Sequence, residues 1–163
     1  MMSRYSRLFV IASLFYLLVG AMMGIFMASF PSLKGIIHFP HAHTMIIGWI
    51  SMMIFGLAYH VIPRFSGSPL IAECFQKLHW WLANIGMMGM MIIPILQVLF
   101  YTQLPLLNIL FFIFGLLQFL GILIFVVQIL KALKFLNSPL SKPKACCNSC
   151  EGSPTQDQNT KFK

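Results

Sequence analysis

Apolar side chains fill this chain in four long blocks, and the polar and turn-forming residues are mostly confined to the segments between them. The blocks run at about 8–30, 41–63, 78–101 and 104–130. Each clears the roughly 20 residues that an α-helix needs to cross a bilayer core. The fourth is expected to continue to about Leu136, before Asn137-Ser138-Pro139 stops it. The first follows Arg4 and Arg7, as a signal peptide would. Its apolar run is longer than the roughly 7–15 residues of a signal core and no clear cleavage site follows, so an uncleaved helix is expected. The pattern predicts an all-α membrane protein over residues 1–136, a four-transmembrane-helix antiparallel bundle with tight loops. Residues 137–163 form a polar tail rich in Ser, Lys, Pro and Asn, expected to be largely disordered.

Composition supports the membrane assignment. Of 163 residues, 59% are hydrophobic and 9% are charged, against about 25% charged in soluble domains. Mean hydropathy is +0.86. A net charge of +8 could suggest a nucleic-acid partner, but the cations sort by loop. Arg4 and Arg7 precede the first block, Arg64 and Lys77 flank the second connection, and Lys131, Lys134, Lys142 and Lys144 follow the fourth. Lys34 alone falls on the other side. By the positive-inside rule both termini are cytoplasmic, in the inner (plasma) membrane of the cell. His38, His41 and His43 then lie at the outer end, and His60 and His79 at the inner end.

Histidine carries the candidate chemistry. Imidazole within a membrane is costly and usually functional. His41-Ala42-His43 opens the second block. Residues two apart on a helix point about 200° apart, so the pair faces two different neighbours. The same block ends in His60, Pro63 and Phe65-Ser66-Gly67. The third opens with Lys77-Leu78-His79-Trp80 and continues through Gly86 and Pro94. These features resemble the tenth and eleventh helices of heme-copper oxidase subunit I. There the first histidine of a His-x-His pair binds the high-spin haem iron and the second binds the low-spin haem.

The resemblance implies a small, standalone subunit-I-like protein equivalent to one four-helix arc of the twelve-helix oxidase. It makes haem b the expected cofactor and His43 its iron ligand. His41 has three open readings: ligand to a second haem, metal ligand with partners from another chain, or ancestral remnant. His38, in the outer loop, is the best same-chain candidate for a second axial ligand, although a solvated histidine is the blander expectation. His60, His79, Trp80 and Pro63 are expected to be structural. His60 and His43 are seventeen residues apart, roughly 25 Å along a helix, so one iron cannot reach both.

The oxidase's copper-site helices have no counterpart, so copper is not expected. The acids Glu73, Glu151 and Asp157 all lie outside the blocks, which argues against proton pumping. The expected function is electron transfer or binding of a diatomic gas (O2 or NO), with a quinol or respiratory redox partner. The alternative is a non-catalytic assembly or haem-delivery factor for a respiratory oxidase. Haem held between subunits of a homodimer is expected, or of a trimer that imitates the oxidase's three arcs.

Other patterns have plainer readings. The methionines, Met87, Met88, Met90 and Met91 among them, suit helix packing better than a copper relay. Gly20-x-x-x-Gly24 allows close helix contact, within the chain or between copies. Cys146, Cys147 and Cys150 fall one short of a four-thiolate site, which Cys74 could complete. An incidental or lipid-modified tail is the plainer account.

Overall fold

The computed structural model describes residues 3–66, 72–100 and 104–134, and these are helical with no strand among them. Four helices are long and apolar enough to cross a membrane. Helix α1 is Arg4–Ser29, α2 is Pro31–Phe65, α3 is Glu73–Leu99 and α4 is Pro105–Lys134. Ser3 starts α1 by accepting a hydrogen bond from the Ser6 N–H at 3.1 Å, as an N-cap serine does. Pro105 occupies the first position of α4, where its missing N–H costs nothing. The tail 137–163, with Cys146, Cys147 and Cys150, lies outside the described residues.

Three differences from the sequence reading concern α2. The segment expected as an outer loop, 31–40, is helical, as a 3-10 turn at Pro31–Leu33 and then α-helix over Lys34–His43. His38 is therefore a helix residue, and His41 and His43 lie well inside the helix instead of opening it. Pro40 is accommodated within it, although its ring nitrogen offers no hydrogen to the preceding turn. Finally, Thr44–Ser51 is π-helix, and α-helix resumes at Met52–Phe65. Two hydroxyls support this widened stretch. Thr44 Oγ1 donates to the Pro40 carbonyl at 2.7 Å, and Ser51 Oγ donates to the Ile46 carbonyl at 2.9 Å.

Close approach is made possible by small residues. A Cβ on Gly48 would lie 2.8 Å from Tyr16 Cγ, and one on Gly56 would lie 2.9 Å from the Ser6 carbonyl oxygen. These glycines let α1 rest on the backbone of α2, the usual solution where lipid gives helices no hydrophobic drive to associate. Gly86 and Gly89 do the same for α3 against Phe114 and Gln118 of α4. Phe9, Tyr16, Met52, Phe55, Tyr59, Ala83, Met87 and Ala132 form the buried core. Met87 is in that core and Met91 packs against it, whereas Met88 is 43% exposed. The helices otherwise present apolar side chains outward. In α4, the most apolar, 11% of the apolar stretch is buried. That is the surface expected of a helix facing lipid.

Candidate functional site

Contacts between helices divide the histidines into two groups. At one end Ser3 Oγ donates to Gln76 Oε1 at 2.6 Å. Beside them Phe9, Phe55, Tyr59, His79 and Phe125 form one aromatic layer. At the other end His41 meets Gly20 and Gly24, Thr44 Oγ1 meets Met91 Sδ at 3.4 Å, and Phe39 meets Phe111.

His41 and His43 share one electronic arrangement. His41 Nδ1 lies 3.0 Å from the Gly20 carbonyl oxygen. His43 Nδ1 lies 3.1 Å from the carbonyl oxygen of Phe39, one turn earlier. A carbonyl can only accept, so Nδ1 must carry the hydrogen in both rings. In the neutral form of each ring the lone pair is then on Nε2. A backbone partner fixing the tautomer and orientation of a ring is the usual outer support of a metal-ligating histidine.

The two rings do diverge, as their spacing requires. His41 is turned onto α1. A Cβ at Gly24 would come within 3.4 Å of its Cε1. Gly20-x-x-x-Gly24 is thus the seat of His41 within the chain. His43 instead stacks on Phe39, with ring centroids 4.0 Å apart at 33°. Phe39 in turn touches Phe111 of α4 at 5.7 Å. Phe111 opens a groove of about 340 Å³ on α4, lined also by Phe112, Gly115, Leu116 and Phe119. Both histidines are half-buried, so neither ring is sealed from a ligand approaching from the bundle surface.

Helix α2 has 35 residues, roughly 50 Å at 1.5 Å per residue, against about 30 Å of hydrocarbon. Some twenty residues counted back from Pro63 reach Thr44. If the span ends at Pro63, His43 lies at its other boundary, with His38 and Lys34 beyond it. His38 is exposed. It leaves the same rigid helix five residues before His43, about 140° away around the axis. His38 and His43 therefore leave one helix in different directions.

At the other end, His79 has no exposed surface. Its Nδ1 hydrogen-bonds Tyr59 Oη at 2.9 Å, while its Nε2 has no partner among the described residues. Phe9, Phe55, Tyr59 and Phe125 surround the ring at centroid distances of 4.7–5.8 Å. His60 is half-buried and makes no hydrogen bond with a described residue. Trp80 Nε1 is buried without a partner among the described residues, although the Trp80 carbonyl accepts from Asn84 Nδ2 at 2.8 Å. Pro63 is buried in α2. Among the described residues no cluster of three or more His, Cys, Asp or Glu side chains could hold a metal ion, and Cys74 is exposed.

Sequence reasoning missed Tyr59 and Phe39. Tyr59 adjoins His60 and read as one more aromatic in an apolar run. Phe39 is the i−4 neighbour of His43, a pairing that becomes visible once 31–40 is taken as helix.

No family model, curated protein or solved structure matches the chain. The likeness to the oxidase subunit rests on the histidine, proline and glycine spacings quoted above.

Proposed function

We propose that this chain is a haem b-binding integral membrane protein related to heme-copper oxidase subunit I, with His43 as the iron ligand. The observation that carries this reading is the fixed tautomer of His43. Its Nδ1–H is given to the Phe39 carbonyl at 3.1 Å, so the lone pair remains on Nε2. Phe39 and Phe111 supply the apolar wall that a porphyrin edge requires. Bound there, haem iron would supply one-electron redox chemistry and a position for a diatomic gas.

The chain's own contribution is orientation. Phe39 positions the imidazole twice, through its carbonyl and through its ring. The π-helix that follows is a feature often found at functional sites. His41 has the same tautomer on the α1 side and is the place for a second haem or metal ion. Both termini are placed in the cytoplasm, in an antiparallel bundle of the inner membrane, on the strength of the basic residues at one end. A second copy of the chain would supply the opposing ligand.

A haem-delivery or assembly role is the second reading, favoured by one observation. His43 is half-buried at the edge of the bundle, so a group held there could leave without unfolding the chain.

The test is the absorption spectrum of the detergent-purified protein, oxidised and reduced. The wild type should show a Soret band, His43→Ala should lose it or change its ligation state, and added imidazole should restore it. His60→Ala and His79→Ala should keep the band. An unchanged spectrum in His43→Ala refutes the assignment, and loss confined to His79→Ala moves the site to the other end. Haem retained through purification fits electron transfer or gas binding, whereas substoichiometric haem that exchanges readily fits delivery.

A further inference from the structure

Positive charge gathers at the end of the bundle away from His43. Ser3 bonded to Gln76 joins the start of α1 to the start of α3, and the layer of Phe9, Tyr59, His79 and Phe125 adds the end of α2 and the last turns of α4. Arg4, Arg7, Arg64, Lys77 and Lys131 are all exposed there. Glu73 is the one acid among the described residues at this end, and none of the five cations forms an ion pair with a described residue.

Between α3 and α4 this end carries a groove of about 210 Å³. Its walls are Phe75 of α3 and Leu123, Ile124 and Val127 of α4, and α4 continues it with Gln128 and Lys131. Chemical character changes along it in one direction, from aliphatic to amide to ammonium, over little more than two turns of α4. Three other grooves of the bundle, including the one beside Phe111, have no charged side chain in their walls.

We propose that this groove binds an anionic phospholipid, with an acyl chain along Leu123, Ile124 and Val127 and the headgroup phosphate at Lys131. The occupant follows from two properties together. The walls are mostly apolar, as a lipid chain requires. The rim is cationic, and the same end of the bundle carries four further exposed cations. A zwitterionic lipid would bring its own ammonium group against that surface and lose the advantage. A basic groove between membrane helices is a recognised form of anionic headgroup site.

Each basic side chain near the headgroups contributes about a fivefold preference for anionic lipid. The full-length protein in neutral detergent, mixed with phosphatidylglycerol or with phosphatidylcholine of the same chains, tests the proposal by native mass spectrometry. Phosphatidylglycerol should be retained in preference. Lys131→Gln should reduce its retention about fivefold, and Lys131→Arg should keep it. Lys34→Gln, at the opposite end, should have no effect. Val127→Trp, which fills the groove but leaves every charge, should also reduce retention. Equal retention of the two lipids, or indifference to Lys131→Gln, overturns the proposal. So does displacement by chainless glycerophosphate at the same concentration, because the apolar walls would then contribute nothing.

Discussion

Replacing Tyr59 by Phe removes one oxygen from the most enclosed polar pair in the bundle. Tyr59 is 1% exposed and His79 not at all, and Tyr59 Oη is the partner of His79 Nδ1 at 2.9 Å. His79 Nε2 already lacks a partner among the described residues, so Tyr59→Phe leaves neither ring nitrogen a bond to them, among four aromatic rings. Interhelical hydrogen bonds in membrane proteins average about 0.6 kcal/mol, whereas stranding a buried polar group costs about 1–3 kcal/mol. The second mechanism applies here, and a loss of about 1–2 kcal/mol is expected. His79→Phe should cost a similar amount, because it leaves the Tyr59 hydroxyl as the unbonded group. The double variant restores consistency. It should be more stable than the sum of the single effects predicts, by about 1 kcal/mol, as in other coupled pairs. Reversible unfolding in mixed detergent micelles measures all three, with the Soret band as an independent reading of the other end. Strictly additive effects would refute the pairing. Loss of haem in Tyr59→Phe would refute the division of the histidines into a ligand end and a structural end.

Gly56→Ala should destabilise the bundle by about 1–3 kcal/mol, as overpacking does, because the added carbon would stand 2.9 Å from the Ser6 carbonyl oxygen and 2.8 Å from Val10 Cγ2. Gly35→Ala, which meets nothing within 4 Å, is the control, and thermal denaturation in detergent compares them. Gly24→Leu should displace His41 from its seat on α1 and alter any signal that depends on His41, while leaving that of His43; Gly24→Ala, at 3.4 Å from His41 Cε1, should be tolerated. For topology, with the native cysteines replaced by Ser, Lys34→Cys should react with a membrane-impermeant thiol reagent in intact cells, and Lys131→Cys only after permeabilisation. The reverse pattern would put His43 on the cytoplasmic side.

Four spans were legible because twenty apolar residues in a row leave little else to be, and the turn chemistry between them is explicit. The outer end of α2 was not. Pro31, Gly35 and Pro40 together read as a loop, yet Pro31 sits in a first turn, which tolerates proline. Pro40 is accommodated by the packing around it and by the Thr44 hydroxyl on its carbonyl. The π-helix was equally hidden. Each of its turns takes in about one residue more than an α turn, so it rotates the face on which Met52, Phe55 and Tyr59 emerge relative to His41 and His43. A 3.6-residue period carried through Thr44–Ser51 pairs the wrong neighbours. The divergence of His41 and His43 survived because both precede the π segment. His79 and Tyr59 were missed as a pair because they are twenty residues apart on different helices, and position alone gave no reason to prefer Tyr59 over His60.

On the proposed haem reading, the number of haems per chain is set by where the histidines point. His43 offers one nitrogen at the bundle edge. His41 faces α1, His38 leaves the same helix on another side, and His79 is sealed in its aromatic layer. If His43 ligates haem as proposed, and no other side chain of the chain joins it, a single chain gives five-coordinate iron, which leaves a position for a gas. Six-coordinate iron then needs a second chain. If that chain presents its own His43, the two-fold axis must pass through the iron, since an isologous interface places identical residues opposite one another. The exposed apolar face of α4 beside Phe111 offers surface for such a contact. One haem per two chains with a low-spin spectrum is the result expected of the dimer. One haem per chain with a high-spin, five-coordinate spectrum is expected of a monomeric gas-binding form. Native mass spectrometry with haem quantification separates them, and a trimer would signal the arrangement of the oxidase arcs. A monomer carrying fully six-coordinate haem would rule out a site shared between two copies and point to His38 as the second ligand.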